Sequence, residues 1–173
     1  RDSNETIIIF FSDHGTGVGE RFGERNYGSF TFEETIRSFY LFIGGKIIKN
    51  RINKNLRESI DILPTILELI GEKSDNLPGE SITQFLINKD KKLQNKLHVF
   101  SETGALQGPY PSPMEPNVFC IKNSRHKLIF IKTTNKWELF DLIKDPNEKK
   151  NIINDNPKIV TELKNKLNLW MKR

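Results

Sequence analysis

Apolar positions come in short runs, separated by glycine, proline and charge. Residues 6–11, TIIIFF, are β-branched at first and aromatic at the end. The length and flanks of this run predict a fully buried strand of the kind found inside a parallel sheet. Residues 15–27 are rich in Gly and charge and read as a loop. Residues 38–45, SFYLFIGG, predict a second buried strand closed by Gly44 and Gly45. Residues 59–71, SIDILPTILELIG, predict a helix. Asp61 can cap its first turn, Pro64 falls where a missing N–H does no harm, and Gly71 supplies the stop. Ile62, Ile66, Leu69 and Ile70 share one face of that helix. LPGESITQFL then gives a turn and a short apolar segment.

After a basic linker at 88–96, LHVFSET predicts a strand, and residues 104–116, with Gly104, Gly108 and four prolines, an irregular loop. Three runs follow at short spacing: NVFCIKN, HKLIFIK and KWELFDL. Their alternation suits an antiparallel meander with one face covered. The closing segment, NPKIVTELKNKLNLWMKR, carries Ile159, Val160, Leu163, Leu167, Trp170 and Met171 on one stripe, with Pro157 in the first turn. This amphipathic helix is the natural cover for the meander. The order of elements suggests the last part of an α/β sheet, residues 1–112, followed by a small α+β unit, residues 113–173.

Composition changes this picture little. The net charge of +5 comes from 27 Lys and Arg spread along the chain, which reads as a solvated basic surface and not as a nucleic-acid footprint. No apolar run approaches the ~20 residues of a membrane span. Cys120 is the only cysteine, so no internal disulfide forms, and a core thiol is expected.

The chemistry concentrates at Ser12-Asp13-His14, which follows the first strand. In open α/β sheets ligands collect at the carboxyl ends of strands. Asp offers a hard oxygen and neutral His a ring nitrogen, and together they suit a divalent cation. Gly15, Gly17 and Gly19 make the bend after them accessible and allow close backbone approach. An Asp-His pair also occurs in ordinary loops. GTGVG does not have the spacing of a dinucleotide-binding fingerprint.

These motifs, taken in order, resemble the sulfatases of the alkaline phosphatase superfamily. IIIFFSDHG is similar to that family's strand ending in Ser-Asp-His-Gly or Ser-Asp-Asn-Gly, FEETIR to its acid-to-arginine segment, and IDILPTILELIGE to its Asp-x-x-Pro-Thr helix. LPGESI resembles its Gly-x-Ser turn, and KLIFIKTTNKWELFDLIKDPNEKKNI its terminal hairpin. The resemblance implies an α/β fold: the last part of an alkaline-phosphatase-like sheet sandwich, then a small antiparallel sheet with a C-terminal helix. It implies hydrolysis of sulfate esters, on a sulfated small molecule or glycan. Asp13 and His14 would ligate a divalent metal, calcium as the first expectation, with manganese or zinc as alternatives.

The family's nucleophile is a formylglycine made from a Cys or Ser inside Cys/Ser-x-Pro-x-Arg, and that motif does not occur in this sequence. Two further carboxylate ligands would also precede Arg1. The expectation is therefore the carboxyl-terminal portion of a longer enzyme, whose other half is a partner in the site, with weak or no turnover by this chain alone. Members place a Lys or His between the metal pair and the Glu…Arg segment; here Arg25 and Tyr27 stand near that place and are the candidate contacts to the substrate anion.

Several other residues are expected to be structural: His98 and His126, Trp137 and Trp170 in the core, and Asp141 and Asp145 at turns. Arg37 is expected to hold Glu33 as an i, i+4 pair. The Asp-His form of the pair keeps a phosphodiesterase or phosphonate monoester hydrolase of the same superfamily as an alternative. A non-catalytic interaction module is a third reading.

Overall fold

The computed structural model describes residues 5–21, 30–73, 75–104 and 115–173. The chain divides into two compact units, Arg1–Asp13 with Ser38–Lys96, and His14–Arg37 with Leu97–Arg173.

In the first unit, β1 (Ile7–Phe11) pairs antiparallel with β2 (Tyr40–Gly44). This differs from the buried parallel strand expected from TIIIFF. Alternation decides the burial. Ile7, Ile9, Tyr40 and Phe42 pack against Ile66 and Leu69 of α2 (Ile62–Leu69) and Ile82, Phe85 and Leu86 at α3 (Thr83–Ile87). Ile8, Phe10, Leu41 and Ile43 lie on the opposite face and are each about half exposed. An all-apolar run therefore carries one packed face and one bare face.

Helix α2 is built around Asp61, which is fully buried. Its carboxylate does not cap α2. It accepts instead from Glu58 N at 3.3 Å, Glu80 N at 2.8 Å and Lys96 Nζ at 2.9 Å. Burial alone would lower the Lys96 ammonium, but hydrogen bonds to Asp61 and Glu58 hold it above its ordinary value. The Thr65 hydroxyl donates to Asp61 O at 2.6 Å and accepts from Ile82 N at 3.1 Å, while Thr83 donates to Thr65 O at 3.2 Å. Gly79 has φ +95°, and a Cβ there would lie 2.2 Å from Ile60 O. The Asp-x-x-Pro-Thr and Gly-Glu-Ser segments are thus two halves of one hydrogen-bonded knot. The helix buries Pro64 and Thr65 and leaves Ile70 exposed, so its buried stripe is rotated from the apolar one.

In the second unit, β3 (Val99–Thr103), β4 (Val118–Lys122), β5 (His126–Ile131) and β6 (Lys136–Asp141) form an antiparallel meander in sequence order. One face, with Ile121, Leu128 and Leu139, is covered by Leu163 and Leu167 of α4 (Pro157–Trp170), as the amphipathic stripe required. The other face is covered as well. Val118, Cys120, Ile129, Ile131 and Phe140 pack against Phe32, with Phe30 and Ile36 beside it. These come from the segment holding α1 (Glu33–Ile36). Among the described residues no helix is long and apolar enough to cross a membrane.

Candidate functional site

Asp13 and His14 follow β1 directly, and both are exposed. Each is placed by its own unit. Ser12 prolongs the strand ladder, since Ser12 N donates to Phe39 O at 3.1 Å and Phe39 N to Ser12 Oγ at 3.4 Å. Asp13 therefore leaves the end of a paired strand. On the other side, Gly15 N donates to Thr35 O at 2.7 Å. A Cβ on Gly15 would lie 2.2 Å from Glu34 O and 3.2 Å from Arg37 O, so only glycine fits against α1.

His14 Nδ1 lies 2.5 Å from Gly15 O. A carbonyl only accepts, so Nδ1 carries a proton, and when the ring is neutral Nε2 is its electron-pair donor. A ring whose second nitrogen is engaged by a carbonyl has the tautomer that a metal-ligating imidazole needs. A hard carboxylate oxygen and a neutral imidazole fit the donor chemistry of a divalent cation. Among the described residues no group of three or more His, Cys, Asp or Glu could hold a metal ion, so these residues give two donors and not a full set. Arg25 and Tyr27 lie outside the described residues.

The remaining imidazoles have structural surroundings. His98 Nε2 stands 4.0 Å from Glu162 Oε1, and burial, then Lys166, push its ring below the usual value. Burial also lowers His126, against the raising effect of Asp141. Cys120 is buried and its thiol is pushed up by burial, as a core thiol should be. Asp141 accepts from Ile143 N and Lys144 N at 3.1 and 3.2 Å, and Asp145 from Lys150 N at 2.8 Å, so both cap turns.

The acid-to-arginine segment does something the sequence did not reveal. Glu33 is not paired to Arg37, which is exposed. Its carboxylate meets Lys122 Nζ and Lys127 Nζ, each at 2.7 Å. Lys127 is fully buried in the sheet face under α1, and also reaches Glu148 Oε1 at 2.8 Å and Thr31 O at 3.0 Å. Glu148, itself fully buried, accepts from Glu33 N at 2.7 Å. Arg21 closes the cluster. Its Nε donates to Glu34 Oε1 at 2.5 Å, its Nη1 donates to Glu148 O at 3.0 Å, and its guanidinium lies 3.5 Å over the Phe32 ring. Glu148 is the acid of Asp-Pro-x-Glu. The terminal hairpin motif is therefore the socket for α1. Alternation could have flagged Lys127, a lysine on the face shared with Ile129 and Ile131.

The family model described as N-sulphoglucosamine sulphohydrolase, C-terminal, matches residues 25–173. The chain belongs to the sulfatase family. Among curated sulfatases it is 26% identical over 156 residues to an arylsulfatase of Clostridium perfringens, covering 87% of this chain and 30% of that protein. It is 29% identical over 157 residues to an N-acetylglucosamine-6-O-sulfatase of Bacteroides thetaiotaomicron, covering 86% of this chain and 26% of that one. This sulfatase chain thus spans less than a third of the length of these relatives. A solved 2-O GAG sulfatase superposes with a TM-score of 0.76 at 25% identity, over 98% of this chain and 37% of that one. A structure in complex with its substrate D-glucosamine-2-N,6-O-disulfate superposes at 0.72 and 25% identity, over 98% of this chain and 34% of that one. The phosphonate monoester hydrolase of Silicibacter pomeroyi shares the fold, at TM-score 0.77 and 21% identity over 98% and 34% of the two chains.

Proposed function

We propose that the protein to which this sulfatase chain belongs is a metal-dependent sulfuric ester hydrolase acting on a sulfated glycan. The observation that carries the reading is the exposed Asp13-His14 pair beyond β1, with Nδ1 of the imidazole turned to Gly15 O. Asp13 gives a carboxylate oxygen and His14 gives Nε2 to one divalent cation, calcium, with manganese or zinc as the alternatives. The cation, when bound, supplies Lewis-acid polarisation of the sulfuryl oxygens and orients the anion. His14 ligates in its neutral form, held in register by Gly15. Asp13 adds negative charge that favours the cation and keeps a second anion out. Arg25 and Tyr27 contact the substrate anion, Arg25 by charge and Tyr27 by a hydrogen bond. The formylglycine nucleophile and further carboxylate ligands belong to other parts of the polypeptide. The glycan is proposed because relatives include an N-acetylglucosamine-6-O-sulfatase and a complex with a disulfated glucosamine.

The test is turnover by the intact protein of sulfated glucosamine, an aryl sulfate and matched phosphate and phosphonate esters, with calcium and with manganese. Sulfate turnover lost in Asp13→Ala and in His14→Ala is expected. Faster phosphonate than sulfate turnover would move the reading to the phosphonate hydrolases. No metal uptake by calorimetry would leave a non-catalytic interaction module.

A further inference from the structure

Helix α1 has four residues, far too few to stand alone in water. Its position comes from what grips it. Glu33 sends its carboxylate to Lys122 and Lys127, and its N–H to Glu148 Oε2. Glu34 takes the Arg21 guanidinium. Two of these anchors, Lys127 and Glu148, are fully buried. The other end of α1 carries the carbonyls that fix the backbone next to His14. Gly15 N donates to Thr35 O, and the missing Gly15 side chain leaves room for Glu34 O and Arg37 O. Thr35 is itself buried. The chain of contacts runs without a break, inside one unit, from the sheet to the residue after His14. Gly15 O, which receives the His14 Nδ1 proton, belongs to that same residue.

We propose that Glu33, gripped by Lys122 and Lys127, is a positioning residue for His14. It acts through α1 and Gly15 and sets where the imidazole Nε2 stands. The inference rests on the reading of His14 as a metal ligand. Outer partners that orient a ligating imidazole are worth about 10- to 100-fold in metal affinity. Lys122 is partly exposed, so Lys122→Met cuts one arm of the grip without emptying the core.

The experiment uses manganese(II) bound to the intact protein. Its affinity is measured by calorimetry, and imidazole nitrogen coupling to the ion by pulsed electron paramagnetic resonance. The wild type shows nitrogen coupling that His14→Ala abolishes. Lys122→Met weakens manganese binding by about tenfold and alters that coupling, with a circular dichroism spectrum like the wild type. Lys122→Arg restores both. Gly15→Ala keeps every ion pair and drives a methyl group into Glu34 O; it shows the same loss. It carries the test should Lys122→Met fail to fold. Lys166→Gln removes an exposed charge on α4 and leaves affinity and coupling unchanged. Wild-type affinity and coupling in folded Lys122→Met and Gly15→Ala overturn the positioning role. Coupling unchanged in His14→Ala overturns the ligand reading beneath it, and the two failures are distinct.

Discussion

Replacing Lys127 by Met tests whether the second unit is organised by a buried cation. Its ammonium is fully buried and lies 2.7 Å from Glu33 Oε1, 2.8 Å from Glu148 Oε1 and 3.0 Å from Thr31 O. Met matches the length of the stem and removes the charge. Glu33 then keeps Lys122, but among the described residues Glu148 keeps only the Glu33 N–H and an Arg21 nitrogen at 3.7 Å. Removing one partner of a buried pair costs about 3–5 kcal/mol, because the other charge stays buried and uncompensated. That is a large share of the ~5–15 kcal/mol that holds an ordinary domain together. The assay is urea unfolding, followed by fluorescence of Trp137 and Trp170, both of which pack with this unit. The double variant Lys127→Met with Glu148→Leu removes the stranded carboxylate as well. It should lose less than the sum of the single losses, with a coupling of at least about 1 kcal/mol. A single variant within about 0.5 kcal/mol of the wild type, the size of an ordinary surface change, would refute the anchor. Strict additivity would refute the pairing.

Three further outcomes follow from the same contacts. Burial pushes Glu148 above the ordinary carboxyl value of 4.5, against the pull of Lys127, whereas for Glu33 burial is outweighed by Lys127 and Lys122 and the carboxyl sits lower. In the window above 4.5 folded Glu148 binds more protons than unfolded Glu148, so its contribution to stability falls as pH rises through its raised value; the Glu33 contribution is present above 4.5 and lost as pH falls through its lowered value. Unfolding free energies of Glu148→Gln across pH should therefore improve relative to the wild type as pH rises through that window, and a constant offset at every pH would contradict this. Asp61→Ala leaves Lys96 with Glu58 alone and removes the acceptor of Glu58 N and Glu80 N, and thermal melts should show a loss of about 3 kcal/mol. Gly79→Ala and Gly71→Ala both force a positive φ on alanine, but only Gly79 would clash, so its loss should exceed about 1 kcal/mol and exceed that of Gly71→Ala, where nothing lies within 4 Å.

The strands and the terminal helix could be read from the chain because each is a local pattern. Alternation predicts a meander from NVFCIKN onward, and the register bears it out from Val118 to Asp141. The stripe on 157–170 faces Ile121, Leu128 and Leu139 as required. What the chain hides is long-range. Glu33 and Lys127 are 94 positions apart, and nothing in FEETIR says that its first acid will find a lysine in a later strand. A local rule instead suggested Arg37, four residues on. The rule fails because α1 is too short to present an i, i+4 face, and because the ladder places Lys127 under it. The same holds for TIIIFF. An apolar run cannot say which of its faces will be covered, and β2 with α2 and α3 covers only one. The acids and lysines of the family-like motifs are mostly devices that hold backbone. Glu148, Asp61 and Asp141 each accept two or more backbone or cationic donors. Asp13 and His14 differ in kind. They are exposed at the end of a paired strand, beside a glycine that cannot be anything else. The polar residues that hold this fold together are buried among their partners, and a site is held most firmly by rigid elements. The proposed cation site rests on that outward placement, and the role proposed for the Glu33 socket is to keep the imidazole aimed.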